Sequence, residues 1–143
     1  MSRIKIELPA HFGFTASPAV RITDINYGNH VGNDSILSLL HEARMQFLQH
    51  HGFSEMDFAG VGMIMRDVMI EFKNEIFYGD QLAIGVAAGA FTGVSFDLYY
   101  KVEKKSGEKM ILAVSARTGM VCYDYSRNRI VAVPEAAKKA LSQ

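Results

Sequence analysis

The sequence predicts an α+β fold in which one long helix lies across one face of an antiparallel sheet. Two observations predict it. Apolar and polar residues alternate in several separate runs, the two-residue period of half-buried strands. Only one long run, from about Asn33 to His51, repeats its apolar residues at helical spacing. The expected order is strand, long helix, then four strands as a meander.

The first alternation sets Phe12, Phe14, Ala16, Pro18, Val20 and Ile22 against Gly13, Thr15, Ser17, Ala19 and Arg21. Pro18 cannot donate to a ladder, so this strand belongs at an edge, at a bulge or in interrupted form. Thr23 to Asn33 is rich in Asp, Asn and Gly and reads as a loop. Asn33 or Asp34 is then suited to cap the helix. The helical stripe is Ile36, Leu39, Leu40, Ala43 and Phe47, and Gly52 is placed to end the helix in a left-handed conformation. At a rise of ~1.5 Å per residue the helix is about 27 Å long.

Strands follow. Ile64, Val68, Ile70 and Phe72 are expected on one face of a strand near residues 62–76, and Tyr78-Gly79-Asp80 is a turn. Leu82, Ile84, Val86, Ala88 and Ala90 alternate next, and Thr92-Gly93 marks a hairpin into the run Val94, Phe96, Leu98, Tyr100 and Val102. Lys104 to Gly107 turns the chain. Both faces of the run from Lys109 to Tyr125 are apolar, which suits a central strand. Pro134 opens a short helix from Glu135 to Leu141. One helix covers one sheet face, so cover for the other is expected from a second copy of the chain.

Composition limits the function. At 143 residues the chain has the length of one domain of roughly 100–150 residues. Its 49% hydrophobic residues suffice for a core. Fifteen basic residues balance fifteen acidic ones, which argues against a nucleic-acid partner. A lone cysteine, Cys122, forms no disulfide within the chain and reads as a packed thiol. Residues Met1 to Pro9 alternate Ile4, Ile6 and Leu8 with charge, unlike a secretory leader, and no run is long enough to span a bilayer. The expectation is a cytoplasmic protein without a membrane partner. His50 and His51 suit the helix C-terminal dipole, and no spacing of His or Cys calls for a metal. Met63, Met65, Met69 and Met120 read as adaptable apolar filling, with the lining of an acyl pocket as the alternative.

Several motifs share one resemblance. Asp24-Ile25-Asn26-Tyr27-Gly28-Asn29-His30-Val31, running on to Asn33, resembles the Asp-x-Asp-x-x-Gly-His-Val-Asn-Asn segment of the 4-hydroxybenzoyl-CoA thioesterase family. Glu42-Ala43-Arg44, the Gly79-Asp80 junction, Gly93-Val94-Ser95-Phe96 and Val131 to Pro134 resemble later family features in the same order. Together they span residues 12–141. The resemblance implies a hotdog fold, a strongly curved five-stranded antiparallel sheet around the helix, in a single domain over 1–143. It implies a homodimer or homotetramer, with acyl-CoA bound between the loop of one subunit and the helix of another. It implies no cofactor.

One residue departs from the family pattern. Asn26 stands where many members carry a catalytic Asp, and an amide cannot take a proton from water. Glu42, at the margin of the helical stripe, is the carboxylate expected to replace it as the base, and Asp24 is the second candidate. His30 is a further candidate at the substrate. Tyr27, Gly28, Asn29 and Asn33 are expected to bind the substrate, with backbone amides around Gly28 to His30 holding the oxyanion near a helix N-terminus. The function expected is hydrolysis of short- to medium-chain or aromatic acyl-CoA. The alternatives are a hotdog enoyl-CoA hydratase or dehydratase, and an acyl-CoA binder without activity.

Overall fold

The structure, a computed structural model, describes residues 5–142; the alternation at Ile4 lies outside them. Strand β1 (Phe14–Ala16) leads through a 3-10 turn at Ile22–Asp24 to helix α1 (Asn33–His50). Strands β2 (Gly62–Phe72), β3 (Leu82–Gly89), β4 (Ser95–Ser106) and β5 (Lys109–Asp124) follow, then the two-residue β6 (Arg129–Ile130) and helix α2 (Glu135–Leu141). All pairings are antiparallel, and the sheet order is β1-β3-β4-β5-β2, with β6 on β5.

The expected four-strand meander therefore holds only for β3 to β5. Strand β2 lies at the far edge beside β5, because the chain passes β5 and β4 between Phe72 and Leu82. Strand β5 is central, as its two apolar faces imply. The first strand is only three residues long and sits at the opposite edge, pairing Phe14 with Val86 and Ala16 with Ile84. It ends just before Pro18, which offers no N–H to a ladder.

Strand β2 also corrects a facing. Its register slips at Arg66, between Met65 and Asp67. A one-residue bulge turns every following side chain to the other face. Met63 and Met65, then Val68, Ile70 and Phe72, therefore stand opposite Cys122, Met120, Thr118, Ala116 and Val114. Ile64, expected beside Val68, pairs with Val121 and points to the opposite face.

The stripe of α1 packs as its spacing demands: Ile36, Leu39, Leu40, Ala43 and Phe47 are all buried. Each of Ile36, Leu39, Leu40 and Phe47 stabilises the fold by about 1.5–3 kcal/mol when fully buried. The C-terminus of α1 closes as expected. Gly52 has φ 82, its N–H bonds to the Gln49 carbonyl at 3.0 Å, and the Phe53 N–H reaches the Leu48 carbonyl at 2.8 Å. The N-terminus differs. Gly32 is the cap residue, and neither Asn33 nor Asp34 supplies a side-chain cap.

Between α1 and the sheet lies a buried polar chain that the stripe did not disclose. Arg44 is almost fully buried and donates through Nε to Glu55 at 3.1 Å and through Nη1 to the Tyr100 hydroxyl at 3.2 Å. That hydroxyl lies 2.7 Å from Thr118 Oγ1. The Tyr100 phenol is pushed up by burial, against the pull of Arg44 and Thr118, and stays neutral.

The outer face of the sheet has cover from the chain itself. The Ile6 N–H donates to Glu71 Oε1 at 2.8 Å, and Phe12 packs over Gly85, where a Cβ would stand 3.0 Å from its ring. Lys101 Nζ lies 5.1 Å from the centre of the same ring. Glu71, Ser115, Lys101 and Gly85 form one cross-strand row, so residues 6–12 run across four strands.

Tyr100→Phe tests the buried chain. It leaves Arg44 Nη1 and Thr118 each short of a partner, and the expected loss of unfolding free energy is about 1–3 kcal/mol in urea titration. A change below about 0.5 kcal/mol would show that the hydroxyl holds nothing in place.

Candidate active site

The loop before α1 is a short closure of a pinched hairpin. Ile25 and Val31 form an isolated antiparallel bridge, and the Asn26 N–H bonds to the His30 carbonyl at 2.9 Å. Tyr27, Gly28 and Asn29 make the turn, closed by the Asn29 N–H on the Asn26 carbonyl at 3.1 Å. A three-residue closure of this kind needs a left-handed third residue. Asn29 supplies it at φ 67, at the position where the family pattern has glycine. Tyr27 at the tip is fully exposed.

Asp24 anchors this loop. Its Oδ2 accepts from the Arg21 N–H at 2.8 Å, its Oδ1 pairs with Arg21 Nη2 at 3.2 Å, and its carbonyl accepts the Gly32 N–H at 3.0 Å. Burial pushes its carboxyl up, but the bonds from the Arg21 N–H and guanidinium and from Ser35 outweigh burial and hold it below the usual range. It stays ionised, with both oxygens engaged.

Asn26 uses its side-chain oxygen within the loop, accepting from the Gly28 N–H at 2.9 Å. The amides of Gly28 and Asn29 are thus already bonded, which removes two of the donors expected for an oxyanion. Open donors lie one turn further on. The first bond of α1 runs from the Ile36 N–H to the Gly32 carbonyl, which leaves the N–H groups of Asn33, Asp34 and Ser35 in the uncapped first turn.

His30 stands at the mouth of a cleft of about 150 Å³, which Asn33, Glu75, Ile76 and Val114 also line. Its Nδ1 lies 3.1 Å from the Val31 carbonyl and its Nε2 lies 3.7 Å from Glu75 Oε2. The Val31 N–H bonds to the Ile76 carbonyl at 2.8 Å, which ties the loop to the segment between β2 and β3. Glu75 escaped the sequence reading because only this crossing segment brings it beside residue 30.

Glu42 is elsewhere. It is exposed on α1, accepts from Gln46 Nε2 at 2.9 Å, and lines a separate groove of about 400 Å³ with Pro18, Arg21 and Leu39. Within one chain it does not share the cleft of His30 and Asn33. Cys122 is buried, and burial pushes its thiol up to about 11, which leaves it a poor nucleophile at neutral pH. His51 does not gain from the helix dipole as expected: burial, aided by the neighbouring His50, lowers its pKa. Among the described residues, no cluster of His, Cys, Asp or Glu is arranged to hold a metal, and no helix is long and apolar enough to cross a membrane.

A family model described as the thioesterase-like superfamily matches residues 20–141. The chain belongs to this superfamily. No curated protein matches it significantly in sequence. Solved structures of thioesterases share its fold. A 1,4-dihydroxy-2-naphthoyl-CoA thioesterase from Synechocystis superposes with TM-score 0.79 at 20% identity, over 90% of this chain and 94% of the other. A thioesterase from Thermus thermophilus, complexed with coenzyme A and Zn, gives 0.78 at 20% identity, over 93% and 100%. An Asp-to-Asn mutant of 4-hydroxybenzoyl-CoA thioesterase, complexed with 4-hydroxybenzoyl-CoA, gives 0.81 at 19% identity, over 90% and 98%. Identities this low establish the fold alone, and that fold is the hotdog fold of the superfamily.

The left-handed turn makes a test of the site. Asn29→Gly is expected to keep the melting temperature and the fold of the loop. Asn29→Val forces a β-branched residue to positive φ, at a cost of about 1–2 kcal/mol. Thermal unfolding of the two variants checks this; equal stability would show that the turn does not need the left-handed conformation.

Proposed function

We propose that the protein hydrolyses the thioester of short- to medium-chain or aromatic acyl-CoA. The observation that carries this reading is the cleft itself: the His30 imidazole, Asn33 at the start of the uncapped first turn of α1 and a small apolar wall meet beside the loop that resembles the thioesterase motif. Membership of the thioesterase-like superfamily supports it, as do fold relatives solved with coenzyme A or an acyl-CoA.

The chemistry needs three provisions. A pocket must hold the thioester carbonyl, donors must meet its oxygen as charge develops, and a base must take a proton from the attacking water. The N–H of Asn33, which lines the cleft at the positive end of α1, serves the oxygen. Asn26 holds Gly28 and with it the turn that presents His30. A drug-sized ligand fills roughly 300–1,000 Å³. The cleft of about 150 Å³ therefore takes the reacting group, and the rest of the CoA lies outside it. A second copy of the chain, as homodimer or homotetramer, would supply that outer wall. In such an assembly Glu42 reaches a loop only across a subunit boundary.

The test is release of free thiol from a panel of acyl-CoA esters of graded length, straight-chain and aromatic, without added metal. Turnover of at least one class is expected. Asn26→Ala frees the Gly28 N–H and should lower kcat about tenfold, the effect of one lost hydrogen bond of roughly 1.4 kcal/mol. Absence of turnover across the panel, with acyl-CoA binding measured by calorimetry, would instead identify a binder in which the amide at position 26 has ended catalysis.

A further inference from the structure

We propose that His30, backed by Glu75, is the proton acceptor of the hydrolysis, in place of the carboxylate that the chain lacks at position 26. This rests on the thioesterase reading above. A carbonyl can only accept, so the 3.1 Å contact with the Val31 oxygen places the hydrogen of the neutral ring on Nδ1. The lone pair then sits on Nε2. No donor engages it among the described residues, and Glu75 Oε2 at 3.7 Å is too far for a hydrogen bond yet close enough to stabilise a positive ring. Gly28 keeps that nitrogen open: a Cβ there would stand 3.3 Å from both His30 Nε2 and Asn26 Oδ1.

The surroundings suit the role. From the loop, the uncharged amide of Asn26 lies on the other side of Gly28 from the ring. From the segment after β2 come Glu75 and Lys73, the latter drawn to Glu71 at 3.5 Å. From α1 comes Asn33 in the cleft, with Asp34 exposed beside it. Glu75 is thus the anionic partner that the structure brings to the imidazole, and it is a positioning residue because it acts through His30.

The step balances without a cofactor. His30 Nε2 takes a proton from water as the water oxygen bonds to the thioester carbon, and the carbonyl electron pair moves to oxygen. When that pair returns, the carbon–sulfur bond breaks and the sulfur leaves with its electrons. It takes the proton from Nε2, which gives free acid, free thiol and a neutral ring.

The test uses the full chain and whichever acyl-CoA the wild type turns over fastest. His30→Gln should lower kcat by about 10²–10⁴-fold with KM close to wild type. Glu75→Gln should lower kcat about tenfold with KM close to wild type, and Glu75→Asp should restore part of that rate. Glu75 is largely exposed, so Glu75→Gln carries the test if His30→Gln folds poorly. A wild-type rate in folded His30→Gln would overturn the proposal and leave the thioesterase reading standing. So would a wild-type kcat in Glu75→Gln. A wild type that turns over no acyl-CoA would overturn both.

Discussion

The loop that carries the site depends on one buried carboxylate. Asp24 gathers the Arg21 N–H and guanidinium, while its own carbonyl receives the Gly32 N–H at the start of α1. These bonds fix where the loop leaves the first strand and where the helix begins. Everything between them follows: the pinch of Ile25 on Val31, the turn at Asn26 to Asn29, and the position of His30 against the cleft. Because the folded state holds this carboxyl below its ordinary value, it adds stability that is full above the unfolded pKa and is lost as pH falls through the folded one.

The second constraint is the seat of α1. The apolar stripe gives the helix its affinity for the sheet, while the chain from Glu55 through Arg44 and Tyr100 to Thr118 fixes where along the sheet it rests. A buried arginine without partners would cost several kcal/mol, so only a narrow set of helix positions is allowed. The first turn of α1, with its open amides, is therefore held at the cleft from both ends: by Asp24 through Gly32, and by Arg44 deeper in the core.

What the sequence disclosed, and what it did not, follows from the range of the interactions. The stripe of α1, the closing glycine Gly52, the alternation of β3 and β4 and the central place of β5 all rest on neighbours within a few residues, and these were legible. The slip at Arg66 was not, since Ile64 and Val68 look equally apolar on either side of it. The far-edge position of β2 was hidden because order in the chain suggested a meander. In the loop, the resemblance marked Asp24, Asn26 and His30, but not their division of work. Asp24 is saturated with donors, Asn26 holds Gly28, and Glu75 stands beside His30 although it is far away in the chain. Asn29 is the instructive residue: it departs from the family's glycine yet meets the same backbone demand.

Under the proposed mechanism, with an amide at position 26 and Glu75 acting through His30, water attacks the thioester directly and no acyl group passes through a protein carboxylate. A single turnover in 18O-labelled water, with protein in excess over acyl-CoA, tests this most directly. Direct attack by water predicts one labelled oxygen in the released acid and no change in the mass of the protein. Label appearing in a protein carboxylate after that first turnover would show an acyl–carboxylate anhydride, and would contradict it.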